Sequence, residues 1–321
     1  MKAYLLNLDR RRDRLELSQR QLTHCGIVFH RIAAVDKADA PRIAKEFNFR
    51  RPPTFSLTDG ELGCFLSHLK AWSEFLETGD EYCLVLEDDV VISRSLRYFL
   101  DRFAGFDIEA NLIRLETFLK PVCLERKPSV RLGTVALHKL YAFDWGAAAY
   151  ILSRSFAMEL VKCDEVPLRP VDHLLFNPVS PFFNGGRTFQ AVPALCIQGD
   201  RMPGNNAKAV YYSDLRLERL RRMEATKPRR KSGLAKIRRE TMRIVNQIKE
   251  PFISLRRGMR RTIIPFSHEL QDEKASSSPA ILSQPPFLEN APTLRITSPF
   301  GRRLKKVRNS FRSEGSALRD H

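Results

Sequence analysis

The chain has 321 residues, enough for one large or two ordinary domains with a well-buried core, and its 43% hydrophobic content is ordinary for a globular protein. The net charge of +17 is confined to one part: basic and acidic residues balance at 26 each over residues 1–200, whereas residues 201–321 carry 28 basic against 11 acidic. Six scattered cysteines without a C-x-x-C pair exclude a zinc ribbon and predict buried free thiols in a reducing compartment.

The sequence opens on a strand, Ala3 to Leu8, with no leading basic segment and apolar stretch of signal-peptide type, and no run approaches bilayer-spanning length. A cytoplasmic protein is expected, with peripheral membrane attachment left open. Asp9-Arg10-Arg11-Arg12-Asp13-Arg14 follows and runs into a helix through Leu15 and Leu22, capped by Asn7 or Asp9. Guanidinium forks at a strand's carboxyl end can meet phosphate oxygens; equally, such a run can be a solvated helix face. Ile27 to Val35 is a second strand ending at Asp36, which either accepts hydrogen bonds from a ribose or caps the next turn.

Pro41 to Arg51 gives a short helix and loop, and Pro52-Pro53 an extended lead into a capped amphipathic helix from Thr58. Its Leu62, Phe65, Leu66, Leu69 and Trp72 recur at three and four residues. His68 stands four residues from Cys64, a ligand spacing, but a single histidine on such a face reads as a hydrogen-bonded structural residue. Ser67 and His68 have no acidic third member nearby in sequence, which argues against a hydrolase.

After the turn at Thr78-Gly79-Asp80 comes Tyr82-Cys83-Leu84-Val85-Leu86-Glu87-Asp88-Asp89-Val90-Val91. An apolar run of this kind is a strand buried on both faces, and it ends in three carboxylates. In an open α/β sheet the carboxyl ends of parallel strands face the ligand crevice, so Glu87, Asp88 and Asp89 are expected at a binding site. Adjacent carboxylates repel unless a cation lies between them, and hard oxygen donors suit Mg²⁺ or Mn²⁺ with a substrate diphosphate. The plain alternative is a strand followed by a solvated acidic turn.

A helix from Ser93 toward Phe103, strands over Asn111–Thr117, Gly133–Leu140 and Trp145–Leu152, and a helix over Phe156–Lys162 follow. Pro170 then sits at the start of a helix with Asp172 in its first turn, and Phe189–Ile197 is the last strand expected in the fold. Residues 205–265 read as a basic amphipathic helical extension, and residues 266–321 as a low-complexity, disordered tail.

The run G-E-L-G-C-x-L-S-H-L-x-x-W from Gly60 to Trp72, followed by L-V-L-E-D-D, resembles glycosyltransferase family 25, which includes bacterial lipooligosaccharide galactosyltransferases and is related to collagen galactosyltransferases. The L-x-R-L run at Leu112 and the P-V-D-x-x-L segment at Pro170 also resemble that family; Phe156, where a glycine is common, departs from it. The resemblance spans about residues 1 to 200. It implies an α/β GT-A-like nucleotide-diphospho-sugar transferase fold, a Rossmann-like α/β/α sandwich occupying residues 1–204. It also implies transfer of a sugar, most often galactose from UDP-galactose, with inversion, onto a lipooligosaccharide or similar glycan.

On this reading Asn7, Arg10, Arg11, Arg14, Asp36, Glu87 and Asp88 belong to the nucleotide site. Asp88 and Asp89 hold Mn²⁺ or Mg²⁺, with Glu87 orienting them from behind. Asp172 is the expected base, or else a carboxylate stabilised by its helix dipole or a further metal ligand; Glu116 and Asp144 are the reserves. The basic tail is expected on an anionic membrane surface, where a lipid-linked acceptor would be presented. The rival reading is a degenerate transferase domain whose tail binds membrane or nucleic acid. The tail lacks the interleaved aromatics of single-strand binders, so nucleic acid is disfavoured. A phosphohydrolase would need a nucleophilic aspartate with a downstream lysine motif, and would leave the helix before the acids without a role.

Overall fold

The computed structural model describes residues 1–46, 57–142, 145–162, 170–203, 210–211 and 258–267. In chain order the elements are β1 (Lys2–Asn7), α1 (Arg12–His24), β2 (Phe29–Ala33), α2 (Ala40–Glu46), α3 (Asp59–Leu76), β3 (Tyr82–Glu87), β4 (Val90–Ile92) and α4 (Ser95–Ala104). Then come β5 (Leu112–Arg114), β6 (Glu116–Thr117), β7 (Pro121–Glu125), β8 (Val130–Leu132), β9 (Val135–Lys139), β10 (Ala149–Ser153) and α5 (Arg154–Lys162). The last are α6 (Val171–Phe176), β11 (Thr188–Val192), β12 (Cys196–Gln198) and β13 (Met259–Ile263).

Eight strands form the main sheet in the order β2-β1-β3-β10-β5-β11-β9-β8. β2, β1 and β3 run parallel, and β10 turns antiparallel to both β3 and β5. Period-two alternation sends neighbouring residues to opposite faces. Tyr4, Leu6 and Val85 pack with α2, α3, α5 and α6, while Ala3, Leu5, Leu84 and Leu86 pack with α1 and α4. The result is the expected Rossmann-like α/β/α sandwich.

α3 is the best-specified helix. Thr58 accepts from the Glu61 amide at 3.1 Å and Glu61 returns a bond to the Thr58 amide at 3.0 Å, a reciprocal capping box. Gly63 lets it approach β2: a Cβ there would lie 2.6 Å from the Val35 carbonyl oxygen. α1, by contrast, has no side-chain cap, because Asn7 donates to the Arg11 carbonyl and Asp9 pairs with Arg31.

The structure corrects several boundaries. The strand expected from Trp145 begins at Ala149, because Gly146 at φ +88° interrupts the extended run. Asn111–Thr117 is two short strands in different sheets, and Phe189–Ile197 breaks at Pro193, which has no N–H to give a ladder. Of the helical extension expected over residues 205–265, residues 259–263 form a strand instead. β13 pairs antiparallel with β7, and Ala194 exchanges backbone hydrogen bonds with Pro265 and Ser267 at 2.9 and 2.8 Å. Alternate residues of Met259–Ile263 suit an edge ladder better than the mixed composition suggested. Residues 204–209 and 212–257, the tail over 268–321 and Asp144 lie outside the described residues.

Candidate active site

A cavity of about 120 Å³ opens at the carboxyl ends of β1 and β3. Arg10, Arg14 and Lys37 contribute its cations, and Glu87, Asp88 and Asp89 its acids. The acids therefore sit at the strand end where an open α/β sheet receives ligands.

Asp88 is buried and engaged at both oxygens: Asn7 Nδ2 donates to Oδ2 at 2.7 Å, and Arg14 Nη1 to Oδ1 at 3.1 Å. Burial pushes its carboxyl up from the ordinary aspartate range, against the opposing pull of Arg14 and Asn7. Asp89 is as buried, at 6% exposure, but its Oδ1 has no hydrogen-bond donor. Desolvation, then the charges of Glu87 and Asp88, drive its proton affinity well above normal. A buried, unpartnered carboxylate oxygen among other acids is what a divalent cation relieves, and all-oxygen donors fit Mg²⁺ or Mn²⁺. The Asp89 oxygen is the one with a coordination position to give; Asp88 is held in place by its two donors.

The arginine turn divides. Arg10 Nε donates to Asp36 Oδ2 at 2.9 Å, and Arg14 reaches Asp88; both line the cavity. Arg11 turns to Asp13, and with Arg14 donates to the Val210 carbonyl, at 2.7 and 2.9 Å. Asp36 also closes the following turn, its Oδ1 accepting from the Ala38 amide at 3.0 Å. Arg31 Nε, unremarked in the sequence, fixes the Asn7 amide by donating to Oδ1 at 3.0 Å.

Glu87 meets the signature helix. Its Oε1 lies 3.1 Å from His68 Nε2, whose Nδ1 lies 2.8 Å from the Tyr150 hydroxyl; Trp72 Nε1 donates to that hydroxyl at 2.8 Å. So His68 does have an acidic partner, 19 residues away in sequence, while Ser67 faces the Gly63 carbonyl and the Val35 amide instead.

Glu116 and Asp172 meet around Gly146. Asp172 Oδ2 accepts from the Gly146 amide at 3.2 Å and Oδ1 from the His173 amide at 2.9 Å. Glu116 is fully buried: Oε1 accepts from the Ala148 amide at 2.8 Å and Oε2 from Gln198 at 3.4 Å, with Arg114 beside it at 3.7 Å. A Cβ on Gly146, at φ +88°, would sit 2.3 Å from the Phe118 ring and 2.8 Å from Glu116 Oε1, so the junction calls for glycine. Glu116 is also near enough to Asp89 to add to its raised proton affinity.

The family model for glycosyltransferase family 25 (LPS biosynthesis protein) matches residues 1–175. The chain is 33% identical to the lipooligosaccharide biosynthesis protein lex-1 of Haemophilus influenzae over 60% of its own length and 67% of that protein. It is 28% identical to lic2B of the same species over 65% and 78%, and 30% identical to procollagen galactosyltransferase 1 of Danio rerio over 54% of this chain but only 30% of that one. The family match covers the elements that build the cavity and the Gly146 junction, and the chain belongs to glycosyltransferase family 25.

Proposed function

We propose that this glycosyltransferase moves galactose from UDP-galactose, with inversion, onto a lipooligosaccharide-type glycan. The observation that carries the reading is the buried, donorless Asp89 oxygen at the end of β3, inside a cavity that also holds three cations. Asp89 would hold a Mn²⁺ or Mg²⁺ ion, with Asp88 alongside. When bound, such an ion neutralises charge on a departing diphosphate.

The chain's own groups do the rest. Arg10, Arg14 and Lys37 bind the diphosphate, and Asn7 and Arg14 keep Asp88 in register with it. Asp172 takes the acceptor hydroxyl's proton at a carboxylate oxygen oriented by the Gly146 and His173 amides. Glu116, closed in by Arg114, Ala148 and Gln198, positions the Gly146 loop between the two carboxylates. Attack opposite the leaving diphosphate gives inversion.

The test is sugar transfer from UDP-galactose to a lipooligosaccharide acceptor by chelator-stripped protein, with and without added Mn²⁺, for the wild type, Asp89→Ala and Asp172→Asn. Mn²⁺-dependent transfer that each substitution reduces about a hundredfold or more supports the reading. Transfer indifferent to Mn²⁺ and to Asp89→Ala overturns the metal assignment, and preference for another UDP-sugar overturns the donor.

The basic excess after residue 200 supports a second element of the proposal, attachment to an anionic leaflet that carries a lipid-linked acceptor. Each Lys or Arg near such a surface contributes about 1 kcal/mol. Flotation with phosphatidylserine vesicles should weaken markedly for the full chain carrying Arg229→Glu, Arg230→Glu and Lys231→Glu. Equal flotation discards attachment through this segment. No described helix is long and apolar enough to cross a membrane.

A further inference from the structure

We propose that Cys64, His68 and Glu87 form a binding site for a transition-metal ion of the zinc class, distinct from the oxygen site at Asp89. Cys64 and His68 lie one helical turn apart on α3 and so share a face. Glu87, the last residue of β3, meets them from the sheet.

The three donor atoms all lie within 4.8 Å of one another. His68 Nε2 is 3.1 Å, and Cys64 Sγ 3.7 Å, from the same Glu87 Oε1. Tetrahedral zinc with ordinary bond lengths sets the N···O edge at about 3.3 Å and the S···O edge at about 3.5 Å, so these two edges lie within a few tenths of an ångström of the metal-bound spacing, and the S···N edge, now within 4.8 Å, settles at about 3.5 Å when the ion binds.

Two further features belong to a built site. The His68 ring is fully buried and stacked on Tyr150, with its Nδ1 fastened to a hydroxyl that Trp72 in turn holds. A hydrogen bond on the far nitrogen is the usual device for aiming a metal-binding imidazole. Cys64, His68 and Glu87 also line the cavity, which leaves a fourth coordination position for water or an anionic oxygen of a bound ligand. Sulfur and imidazole are softer donors than the carboxylates of Asp88 and Asp89, so this set selects zinc-class ions where the aspartates select Mg²⁺ or Mn²⁺. The site stands whether or not the transfer reading does, because it concerns a different donor set.

Cobalt tests it without reference to activity. The full chain, reduced and chelator-stripped, is titrated with Co²⁺ while the near-ultraviolet sulfur-to-cobalt charge-transfer band is followed. The expected result is a saturable band that Zn²⁺ erases, kept by Asp89→Asn and lost in Cys64→Ser and Cys64→Asp. Tyr150→Phe, which loosens the imidazole, should weaken cobalt binding about tenfold or more. Thermal unfolding of the Cys64 variants near the wild-type temperature shows that loss of the band is not loss of the fold. No band in the wild type, or a band that survives Cys64→Ser, overturns the site. A band lost with Asp89→Asn overturns its independence from the oxygen site.

Discussion

Two buried acids, Glu116 and Asp89, stand in the same sheet system and differ in how their oxygens are matched. Each oxygen of Glu116 has a donor, and Arg114 lies alongside with Nη1 on the Glu116 carbonyl and Gln190 at 2.9 and 3.1 Å. Asp89 keeps an oxygen with none, among neighbours of its own sign. Burial alone therefore does not separate a carboxylate whose oxygens are matched from one that keeps an oxygen unmatched. Donor accounting, atom by atom, does.

That contrast can be broken first on the matched side. Arg114→Ala strands Glu116 as a buried charge and should cost about 3–5 kcal/mol in urea unfolding. A loss near zero would mean that Arg114 is no brace. On the unmatched side, Asp89→Ala should reduce transfer about 10²–10³-fold, the range seen when one charge-stabilising group is removed, without lowering the unfolding temperature. Gly63→Ala sharpens the comparison from outside: the added methyl meets the Val35 carbonyl, and forcing α3 outward should cost about 1–3 kcal/mol. An unchanged unfolding midpoint would show that α3 yields freely.

The smallest effect is the most diagnostic. In the metal-free protein Asp89 has a raised proton affinity, so the folded state binds the proton more tightly than the unfolded chain. Stability is therefore fully present below the ordinary aspartate range, and falls as pH rises from there through the raised value. Asp89→Asn removes that loss. Its melting temperature should exceed the wild type's by about 2–4 °C near neutral pH, as about 1 kcal/mol does in a fold of this size, with the difference vanishing near about pH 3, below the ordinary aspartate range. A gain that persists at low pH would trace to something other than the carboxylate's charge.

Much of this arrangement is legible in the residues. Three acids after an apolar run announce a strand end, and Thr58 with Glu61 announces the start of α3. What is not legible is which acid lacks a donor, since Asn7 and Arg14 choose Asp88 over Asp89 only once β1, α1 and β3 are assembled. The Glu87 partner of His68 is equally hidden: the i, i+4 spacing shows two donors, and the third arrives from the sheet. Glu116, a reserve candidate for the base in the sequence, proves to be 0% exposed with both oxygens accepting hydrogen bonds, which no spacing in the residues announces. β7 and β13 escape periodicity because each is short and half-exposed, and their pairing joins residues more than 130 apart.

The return of residues 258–267 to β7 and Ala194 bears on how the protein can be shortened for expression. A product ending soon after the stretch shared with its relatives would leave β7 without its neighbour, baring a strand edge that invites aggregation. It would also take away the Val210 carbonyl to which Arg11 and Arg14 are tied. Inactivity of so short a version would report a damaged cavity wall and nothing about the role of the basic segment, so any trimmed gene should run through Ser267.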